Sequence, residues 1–365
     1  MVIFALNVPD KQNMKIIIAF DSFKGSLTAE EACYTAACAI QHVDKDAEIV
    51  EIPLSDGGEG LTKCIEKFLP TSTIQLEVHS PLMKKLRASY ALSKDDTTAY
   101  MEMASASGLT LVAQKDRNPL ITTTYGVGEM IADATKRGCK HIIMGIGGSA
   151  TCDGGIGMIK ALEDHKSLNC KCKITVACDV TNPLYGYNGA AYVFGQQKGA
   201  TAEQVVELDN RLKQFALETE KKGLATKEMA HYPGAGAAGG LGYALLTYLK
   251  AELKSGIDTI LELSNFGHEL IDSDLIITGE GKSDNQTMMG KVPYGVLRLC
   301  KQKQKPVWLI SGAIDDATGE LSSNFDLVKS INEDDTRPLN TLMHKEVALA
   351  NLYNCVQKYF KCFKF

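Results

Sequence analysis

Short apolar runs alternate with amphipathic stretches along most of the chain. The β-branched run KIIIA at 15–19 predicts a buried strand, and Thr28-Ala-Glu-Glu31 is a capping box that predicts a helix to about His42. Strands are also predicted at 49–52, 141–146, 174–178, 275–278 and 307–311, and helices after the DGGEG turn to about Phe68, at 126–137 with Gly138 as its left-handed stop, and at about 290–303. This alternation predicts an α/β fold with a mostly parallel sheet.

Polar or glycine-rich turns follow the carboxyl ends of the apolar strands. They come after Ala19, Leu54, Gly145, Cys178 and Thr278. In open α/β sheets, ligands bind in the crevice outside the carboxyl ends of the strands. The recurrence of these turns predicts that they line one cleft.

Length and charge narrow the function classes. A chain of 365 residues is long enough for about two domains. Its net charge of -5 leaves no basic footprint for nucleic acid, so an anionic substrate must be attracted locally, by lysines and backbone N–H groups. No apolar run approaches the ~20 residues of a membrane span. The eleven scattered cysteines favour free thiols in a reducing compartment, so a cytoplasmic protein without a membrane partner is predicted.

The first turn, Asp21-Ser22-Phe-Lys24-Gly-Ser26, lies between a strand and a capped helix. Hydroxyls and a lysine next to a helix N-terminus make a ready anion site, in which Lys24 neutralises a phosphate or a carboxylate. The alternative is that Asp21 and the serines only shape the turn between strand and helix. We expect Asp21, Ser22, Lys24 and Ser26 to contact substrate or phosphate.

The second turn, Asp56-Gly57-Gly58-Glu-Gly60, holds three glycines in five positions. Glycine is costly in backbone entropy, and a tight turn alone requires only one or two of them. The turn therefore predicts a close backbone approach to a ligand, with Asp56 as a catalytic carboxylate.

The densest signal is Gly145-Ile-Gly147-Gly148-Ser149-Ala-Thr151-Cys-Asp153-Gly-Gly155. Its N–H groups and hydroxyls are suited to cradle phosphate oxygens, and Asp153 is placed to reach a metal or a hydroxyl. The stretch also satisfies G-x-G-x-x-A after a strand, which is a weak match to a dinucleotide site. A second Asp-Gly-Gly before the next helix argues against that alternative.

Three later motifs complete the set. Cys178-Asp179-Val-Thr-Asn182-Pro places a carboxylate at a strand end, and residues 234–240, GAGAAGG, are small enough for close backbone approach through Gly236 and Gly239 or for tight helix packing. The third, Gly279-Glu-Gly-Lys282-Ser-Asp284, ends like a phosphate-binding P-loop, but the first glycine of that pattern falls on Ile276. A P-loop NTPase is therefore excluded.

Phosphoryl transfer requires positioned phosphates, Mg²⁺ held by carboxylates, cationic neutralisation and a base for the attacking hydroxyl. The turns supply Asp21, Asp56, Asp153, Asp179 and Asp284 together with Lys24 and Lys282. Mg²⁺ commonly takes one or two protein carboxylates, which leaves others for general-base duty. Asp179 and Asp284 are the candidates for the metal or the base. The residues alone predict phosphoryl transfer by a kinase that uses ATP and Mg²⁺, and they do not identify the acceptor.

At this point the motifs resemble those of the bacterial glycerate kinase family. The resemblance rests on MKIIIAFDSFKGSL, IPLSDGGEG, MASASGL, NPLITTTYGVGE, GIGGSATCDGG, ACDVTNPL, FGQQKGAT, PGAGAAGGLG and TGEGKSDNQT, in order from Met14 to beyond Ser311. It implies a flavodoxin-like domain with a second α/β domain inserted, and a site in the cleft between them. It also implies phosphorylation of D-glycerate, with 2-phosphoglycerate favoured over the 3-phospho product.

The resemblance divides the chain into residues 14–75 plus 235–365 for the flavodoxin-like domain, 76–234 for the insertion and 1–13 as an extension. It adds Glu280 and Gln286 to the contacts. The full substrate or phosphate set is Asp21, Ser22, Lys24, Ser26, Gly57, Gly58, Gly147, Gly148, Ser149, Thr151, Asp153, Asn182, Gly236, Gly239, Glu280, Lys282 and Gln286, and the catalytic set is Asp56, Asp179 and Asp284. A homodimer stays open.

Two departures from the family pattern matter. Residues 160–173 shorten a usually longer segment, and Lys282 replaces an arginine, which loses a bidentate fork. Two rival functions therefore stay open. One is an NAD(P)-dependent dehydrogenase of a small hydroxy acid, and the other is a non-catalytic sensor of small organic acids.

Overall fold

The computed structural model describes residues 13–55, 60–169 and 171–364. The predictions for residues 1–12 and for Asp56, Gly57 and Gly58 lie outside these described residues. The chain divides into two units. Unit 1 consists of the chain up to Leu54 and from Ser264 onward, and unit 2 is the intervening segment from Ser55 to Leu263.

The structure contains the predicted strands and helices together with others that the hydrophobic pattern did not predict, among them the strands Thr71–His79 and Lys85–Ser93. The strands are β1 (Lys15–Phe20), β2 (Glu48–Glu51), β3 (Thr71–His79), β4 (Lys85–Ser93), β5 (Thr98–Glu102), β6 (His141–Gly145), β7 (Lys173–Ala177), β8 (Glu252–Lys254), β9 (Leu275–Gly279), β10 (Lys282–Ser283), β11 (Val307–Ser311), β12 (Ala313–Ile314) and β13 (Leu327–Ser330). The α-helices are α1 (Ala29–Val43), α2 (Leu61–Phe68), α3 (Ala104–Ser107), α4 (Tyr125–Lys136), α5 (Ile156–Asp164), α6 (Ala190–Phe194), α7 (Ala202–Lys221), α8 (Ala237–Tyr248), α9 (Gly256–Leu263), α10 (Phe266–Glu269), α11 (Val292–Gln302), α12 (Glu320–Asn324), α13 (Leu339–Leu342) and α14 (Lys345–Lys364). Short 3₁₀ turns lie at Leu109–Leu111, Gln114–Asp116, Gln196–Lys198, Lys227–His231 and Thr287–Met289.

Unit 1 is built on a five-stranded parallel sheet with the order β13-β11-β9-β1-β2. Counted along unit 1 alone, this is the flavodoxin order 2-1-3-4-5. All six residues of β1 are buried, because helices cover both faces of a central parallel strand. The order changes direction between β1 and β9, and ligands of such sheets bind at that switch point. The predicted flavodoxin-like α/β unit is confirmed.

Unit 2 contains a six-stranded sheet with the order β3-β4-β5-β6-β7-β8. The pairs from β5 to β8 are parallel, whereas β3 and β4 form a long antiparallel hairpin. Its core includes Met101, Met144 and Val176 from the strands and Leu241 from α8. The carboxyl ends of β6 and β7 lead into the glycine-rich turn and the Asp179 turn.

Local signals in the sequence set several element ends. Thr28 caps α1 through the predicted capping box with Glu31. Gly138 follows α4 with φ +89°, the left-handed stop that glycine tolerates best. The predicted strand at 307–311 coincides with β11.

The unit boundaries differ from the predicted ones at 75/76 and 234/235. They lie at 54/55 and 263/264. Segment 55–75 belongs to unit 2 because α2 packs on β4, β5 and α9, and β3 pairs with β4 from Thr71 onward. Segment 235–263 belongs there because β8 pairs with β7. Among the described helices, none is both long enough and apolar enough to cross a membrane.

Candidate active site

In unit 1 the turns after β1 and β9 lie side by side at the switch point. Asp21 donates its N–H to the carbonyl of Gly279 over 2.9 Å, and its Oδ1 accepts the N–H of Ser22. The chain then closes a small loop, in which Phe23 and Leu27 bridge before α1 begins. Lys24 is exposed on this loop, while the buried Oγ of Ser26 has no partner among the described residues.

Glu280, directly after β9, is 6% exposed. Its Oε1 accepts hydrogen bonds from Thr287 Oγ1 at 2.6 Å and from Ser283 Oγ at 3.2 Å. Its Oε2 lies 3.3 Å from Lys291 Nζ. Short parallel pairing between β10 and β12 holds this turn against the next strand end, where Ser311 contacts Ser283 Oγ over 2.8 Å.

Asp284 is a partly exposed carboxylate at the edge of this cluster. Its Oδ2 lies 3.4 Å from Lys282 Nζ, and its Oδ1 lies 4.0 Å from Lys291 Nζ. Oδ1 also accepts the N–H of Gln286 over 3.0 Å. The structure thus brings the predicted Glu280, Lys282, Asp284 and Gln286 together, with each of the two lysines next to a carboxylate.

In unit 2 the glycine loop, defined as residues 147–155, follows β6. Two backbone hydrogen bonds hold its start, from Leu109 N to the carbonyl of Gly148 and from Ala150 N to the carbonyl of Ser107. The N–H groups of Gly147, Gly148 and Ser149 form no hydrogen bond within the described part of the chain. These three N–H groups are therefore available as hydrogen-bond donors, which is the property that a phosphate-binding loop requires.

Lys198 is the main residue that the sequence reading missed. It ends the 3₁₀ turn Gln196–Lys198, it is 3% exposed, and its Nζ donates to Ser149 Oγ at 2.6 Å and to the carbonyl of Thr151 at 2.8 Å. Burial lowers the pKa of Lys198 to about 8. The signal was present in the motif FGQQKGAT, but nothing local marks this lysine as buried.

A cavity of about 330 Å³ lies over the start of the glycine loop. Gly147, Gly148, Ser149, Lys198 and Asp179 are among its lining residues. Asp179 follows β7, is exposed, and accepts the N–H of Gly256 at its Oδ1, so it also caps the start of α9. A small polar ligand could meet a cation, several N–H donors and a carboxylate in this cavity.

Asp153 differs from the other predicted site residues because the protein itself occupies its oxygens. Oδ2 accepts hydrogen bonds from the N–H and the hydroxyl of Thr124 and from Gly157 N, and Oδ1 accepts Gly155 N. It does not line the cavity that holds Lys198. The geometry favours a structural carboxylate that joins α4 to the start of α5.

Asn182, Gly236 and Gly239 also act within the backbone. Asn182 Nδ2 donates to the carbonyl of Asn188, and its own carbonyl accepts the N–H of Gly236. Gly239 has φ +69°, and a Cβ there would lie 2.0 Å from the Thr151 carbonyl oxygen. The predicted close approach therefore brings the backbone against the glycine loop. Ala238, Gly239 and Gly240 are all left-handed, so α8 becomes regular only after them.

The described carboxylates do not form a ready-made metal cluster. Within residues 13–55, 60–169 and 171–364, no group of three or more His, Cys, Asp or Glu side chains is arranged to hold one. The candidates Asp179 and Asp284 supply hard carboxylate oxygens, which suit Mg²⁺. A single carboxylate of this kind fits a Mg²⁺ ion that keeps water and phosphate oxygens as its other ligands.

A parallel and a mixed sheet with turns at the carboxyl ends of their parallel strands define an α/β protein. A profile of the Glycerate kinase family matches residues 16–167 and 163–361. The chain is 43% identical over 333 residues to the Escherichia coli K12 protein named glycerate 2-kinase, covering 84% of this chain and 87% of that protein. It is also 43% identical over 346 residues to a glycerate kinase of Bacillus subtilis 168, covering 87% and 90%.

A solved structure agrees with the sequence matches. The crystal structure assigned as glycerate kinase 2 from Salmonella typhimurium LT2 aligns with a TM-score of 0.81 and 37% identity, covering 96% of this chain and 98% of that one. The chain belongs to the glycerate kinase family. It is a kinase, and the family implies ATP as its phosphate donor.

Proposed function

We propose that this protein phosphorylates D-glycerate with ATP and releases ADP, with the 2-hydroxyl as the favoured acceptor. The observation that carries the proposal is the family match, which runs through both units with the strand-end motifs in place. The favoured 2-hydroxyl follows the name of the Escherichia coli relative. We also propose that the protein is a cytoplasmic enzyme that binds a small molecule. Its net charge of -5 argues against binding of nucleic acid. A measurement of its mass in solution would decide whether it forms a homodimer.

The proposed roles divide among the strand-end side chains. A carboxylate oxygen of Asp179 takes the proton of the attacking hydroxyl, while Gly147, Gly148 and Ser149 direct N–H groups at an oxyanion. Asp284 holds Mg²⁺, beside Lys282 and Lys291 at 3.4 and 4.0 Å. When bound, Mg²⁺ would neutralise charge on the phosphates. Asp56, Gly57 and Gly58 keep their proposed roles from the sequence.

The test is ADP release with D-glycerate and ATP-Mg²⁺, followed by transfer of the product to enolase. Direct consumption by enolase identifies 2-phosphoglycerate, whereas a product that enolase leaves untouched indicates the 3-phospho isomer. Binding of NAD(P)H without ADP release would favour the dehydrogenase. Binding of glycerate without turnover would favour the sensor.

A variant pair tests the base. Asp179→Asn keeps an oxygen for Gly256 N but loses the basic site, so we expect kcat to fall at least about 100-fold. The matched control is Asp164→Asn. The Asp164 carboxylate accepts a hydrogen bond from Tyr125 Oη at 2.8 Å and has no proposed role, so this variant should turn over normally. Turnover of Asp179→Asn within a few-fold of wild type would remove Asp179 from the mechanism.

A further inference from the structure

The positive charge of Lys198 has no negative partner next to it within the described residues. Its ammonium is buried, yet within the described residues it has no carboxylate within ion-pair distance. Its two partners, Ser149 Oγ and the Thr151 carbonyl, are neutral. Buried charges in proteins are normally paired or bound to a ligand, because an isolated one loses its hydration without compensation.

Asp153 acts on the charge of Lys198 through space, but within the described residues no ionisable group makes an ion pair with it. Burial raises the pKa of the Cys152 thiol to about 11, so that it is neutral at pH 7. The pKa of Cys178, which lines the same cavity, is raised to about 11 for the same reason. The carboxylate of Asp153 is committed to backbone and hydroxyl donors, and Asp179 Oδ1 accepts Gly256 N.

Several donors next to Lys198 also lack an acceptor. Ser149 Oγ accepts a hydrogen bond from Lys198, and within the described part of the chain its own O–H donates to no other atom. The N–H groups of Gly147, Gly148 and Ser149 are likewise unpaired in that part of the chain. All of these residues line one cavity. A cation surrounded by unused donors is complementary to an oxyanion.

We propose that Lys198, together with Ser149 and the N–H groups of the glycine loop, binds an oxyanion in the unit 2 cavity. Within the proposed function, on which this assignment rests, the oxyanion is either the carboxylate of D-glycerate or a phosphate group of the nucleotide. Both have the same chemistry: a compact group of oxygens carrying negative charge. Lys198 is then a binding residue for the reaction and more than a support for the loop.

The alternative is a purely structural lysine that ties Ser149 to Thr151. A structural lysine would be needed for stability but indifferent to anions. A binding lysine would be needed for anions, and its removal would also remove a buried charge that opposes folding. Lys198→Met separates the two roles because methionine fills similar space without charge.

The experiment measures binding to the full-length protein by isothermal titration calorimetry, with D-glycerate in one arm and sulfate, a phosphate mimic, in the other. Lys213→Met, an exposed lysine of α7 in the same unit, is the matched control. We expect Lys198→Met to stay folded and lose at least about 30-fold in affinity in at least one arm, with Lys213→Met unchanged. Loss in the glycerate arm alone identifies the carboxylate, and loss in the sulfate arm alone identifies a phosphate site.

Unchanged affinity of Lys198→Met in both arms would overturn the proposal, and so would a wild-type protein that binds neither anion. Neither arm requires turnover. A protein that fails to phosphorylate glycerate but binds sulfate through Lys198 would therefore sink the proposed function and leave this assignment standing.

If Lys198→Met does not fold, the wild-type protein decides the question. The ammonium is the form that binds an anion, so affinity is full below pH 8 and falls as the pH rises through the pKa of about 8. Neither probe titrates between pH 7 and 9, and the thiols of Cys152 and Cys178, whose pKa values burial raises to about 11, stay neutral there. We expect roughly a tenfold loss of affinity between pH 7 and 9, from the loss of charged lysine. A flat profile would contradict the assignment.

Discussion

Among the described residues, unit 1 and unit 2 each bury one lysine, and the two lysines have opposite surroundings. Lys15 of unit 1 is 8% exposed, and its Nζ lies 2.8 Å from Asp272 and 2.9 Å from Glu269. Burial alone would lower the pKa of Lys15, but the hydrogen bonds to these carboxylates outweigh it and raise the pKa above its ordinary value. The two hydrogen-bond partners of Lys198 within the described part of unit 2 are neutral, and burial lowers its pKa.

The difference separates a structural cation from one that is kept ready for a ligand. At Lys15 the protein supplies the negative charge itself, so nothing is left to bind. The lysines of the Glu280 turn also have carboxylate partners, because Lys291 lies next to Glu280 and Lys282 next to Asp284. At the glycine loop the compensation is missing. We therefore read unit 2 as the place where an anion completes the structure.

The strongest test of the compensated side is Asp284→Asn. If Asp284 holds Mg²⁺, loss of its charge should lower kcat by at least about 100-fold, because transition-state charge is no longer neutralised. The control is Asp315→Asn, since Asp315 also lies near Lys282, at 3.8 Å, but has no proposed role. Steady-state kinetics at saturating ATP-Mg²⁺ measure both. Equal turnover of the two variants would remove Asp284 from the metal site.

Asp153→Asn should act on stability. Several donors converge on the Asp153 carboxylate, and an amide cannot accept at both of its ends. We expect a loss of about 2–3 kcal/mol in the free energy of unfolding, measured by urea denaturation. Asp209→Asn should cost less, because within the described residues the Asp209 carboxylate accepts a single hydrogen bond, from Gly186 N to Oδ1. A stable but inactive Asp153→Asn would show instead that this carboxylate serves the reaction.

Lys15→Met tests the other half of the comparison. Removal of the cation leaves Asp272 and Glu269 next to each other, but both reach solvent, so we expect a modest loss of about 1–2 kcal/mol in stability. Lys198→Met should lose less, although Lys198 is the more deeply buried lysine. The two melting curves are recorded without ligands. If Lys198→Met is the less stable variant, the distinction between the two lysines fails.

The smallest effect concerns two serines. Ser149→Ala removes an O–H donor from the cavity and should weaken sulfate binding about three- to tenfold, with little change in melting temperature. Ser311→Ala removes the hydroxyl that accepts from Glu280 N and leaves Ser283 Oγ with Glu280 Oε1 as its partner, so it should cost about 1 kcal/mol of stability without affecting sulfate binding. Calorimetry and thermal denaturation of both variants provide the check. An exchange of the two outcomes would reverse the roles given to the units.

The sequence predicted what depends on neighbours along the chain. The run at 15–19, the capping box at Thr28 and the stop at Gly138 each carry their own cause, and the structure confirms all three. The antiparallel β3–β4 hairpin was missed, although the alternation of Ile74, Leu76 and Val78 is its signature.

What escaped prediction depends on distant contacts. In the sequence nothing distinguishes Lys198 from a surface lysine. Its burial follows from its hydrogen bonds to Ser149 and Thr151, which are distant in the chain. The sequence around Asp153 is that of a ligand-binding carboxylate, but in the fold Asp153 Oδ2 accepts a hydrogen bond from Thr124 N. The unit boundaries moved because packing of α2 and pairing of β8, rather than composition, decide which unit a segment joins.

The insertion of unit 2 has a consequence for synthesis on the ribosome. Unit 2 is one continuous segment, whereas β1 pairs with β2 on one side and waits for β9 on the other. At about 5–20 residues per second, the apolar edge of β1 is left without its partner for roughly 13–51 s, the time to make the chain from Phe20 to Leu275. An unpaired apolar edge invites aggregation. We therefore expect the nascent chain to need protection of the KIIIAF strand, for example by a chaperone, until Leu275–Gly279 has been synthesised.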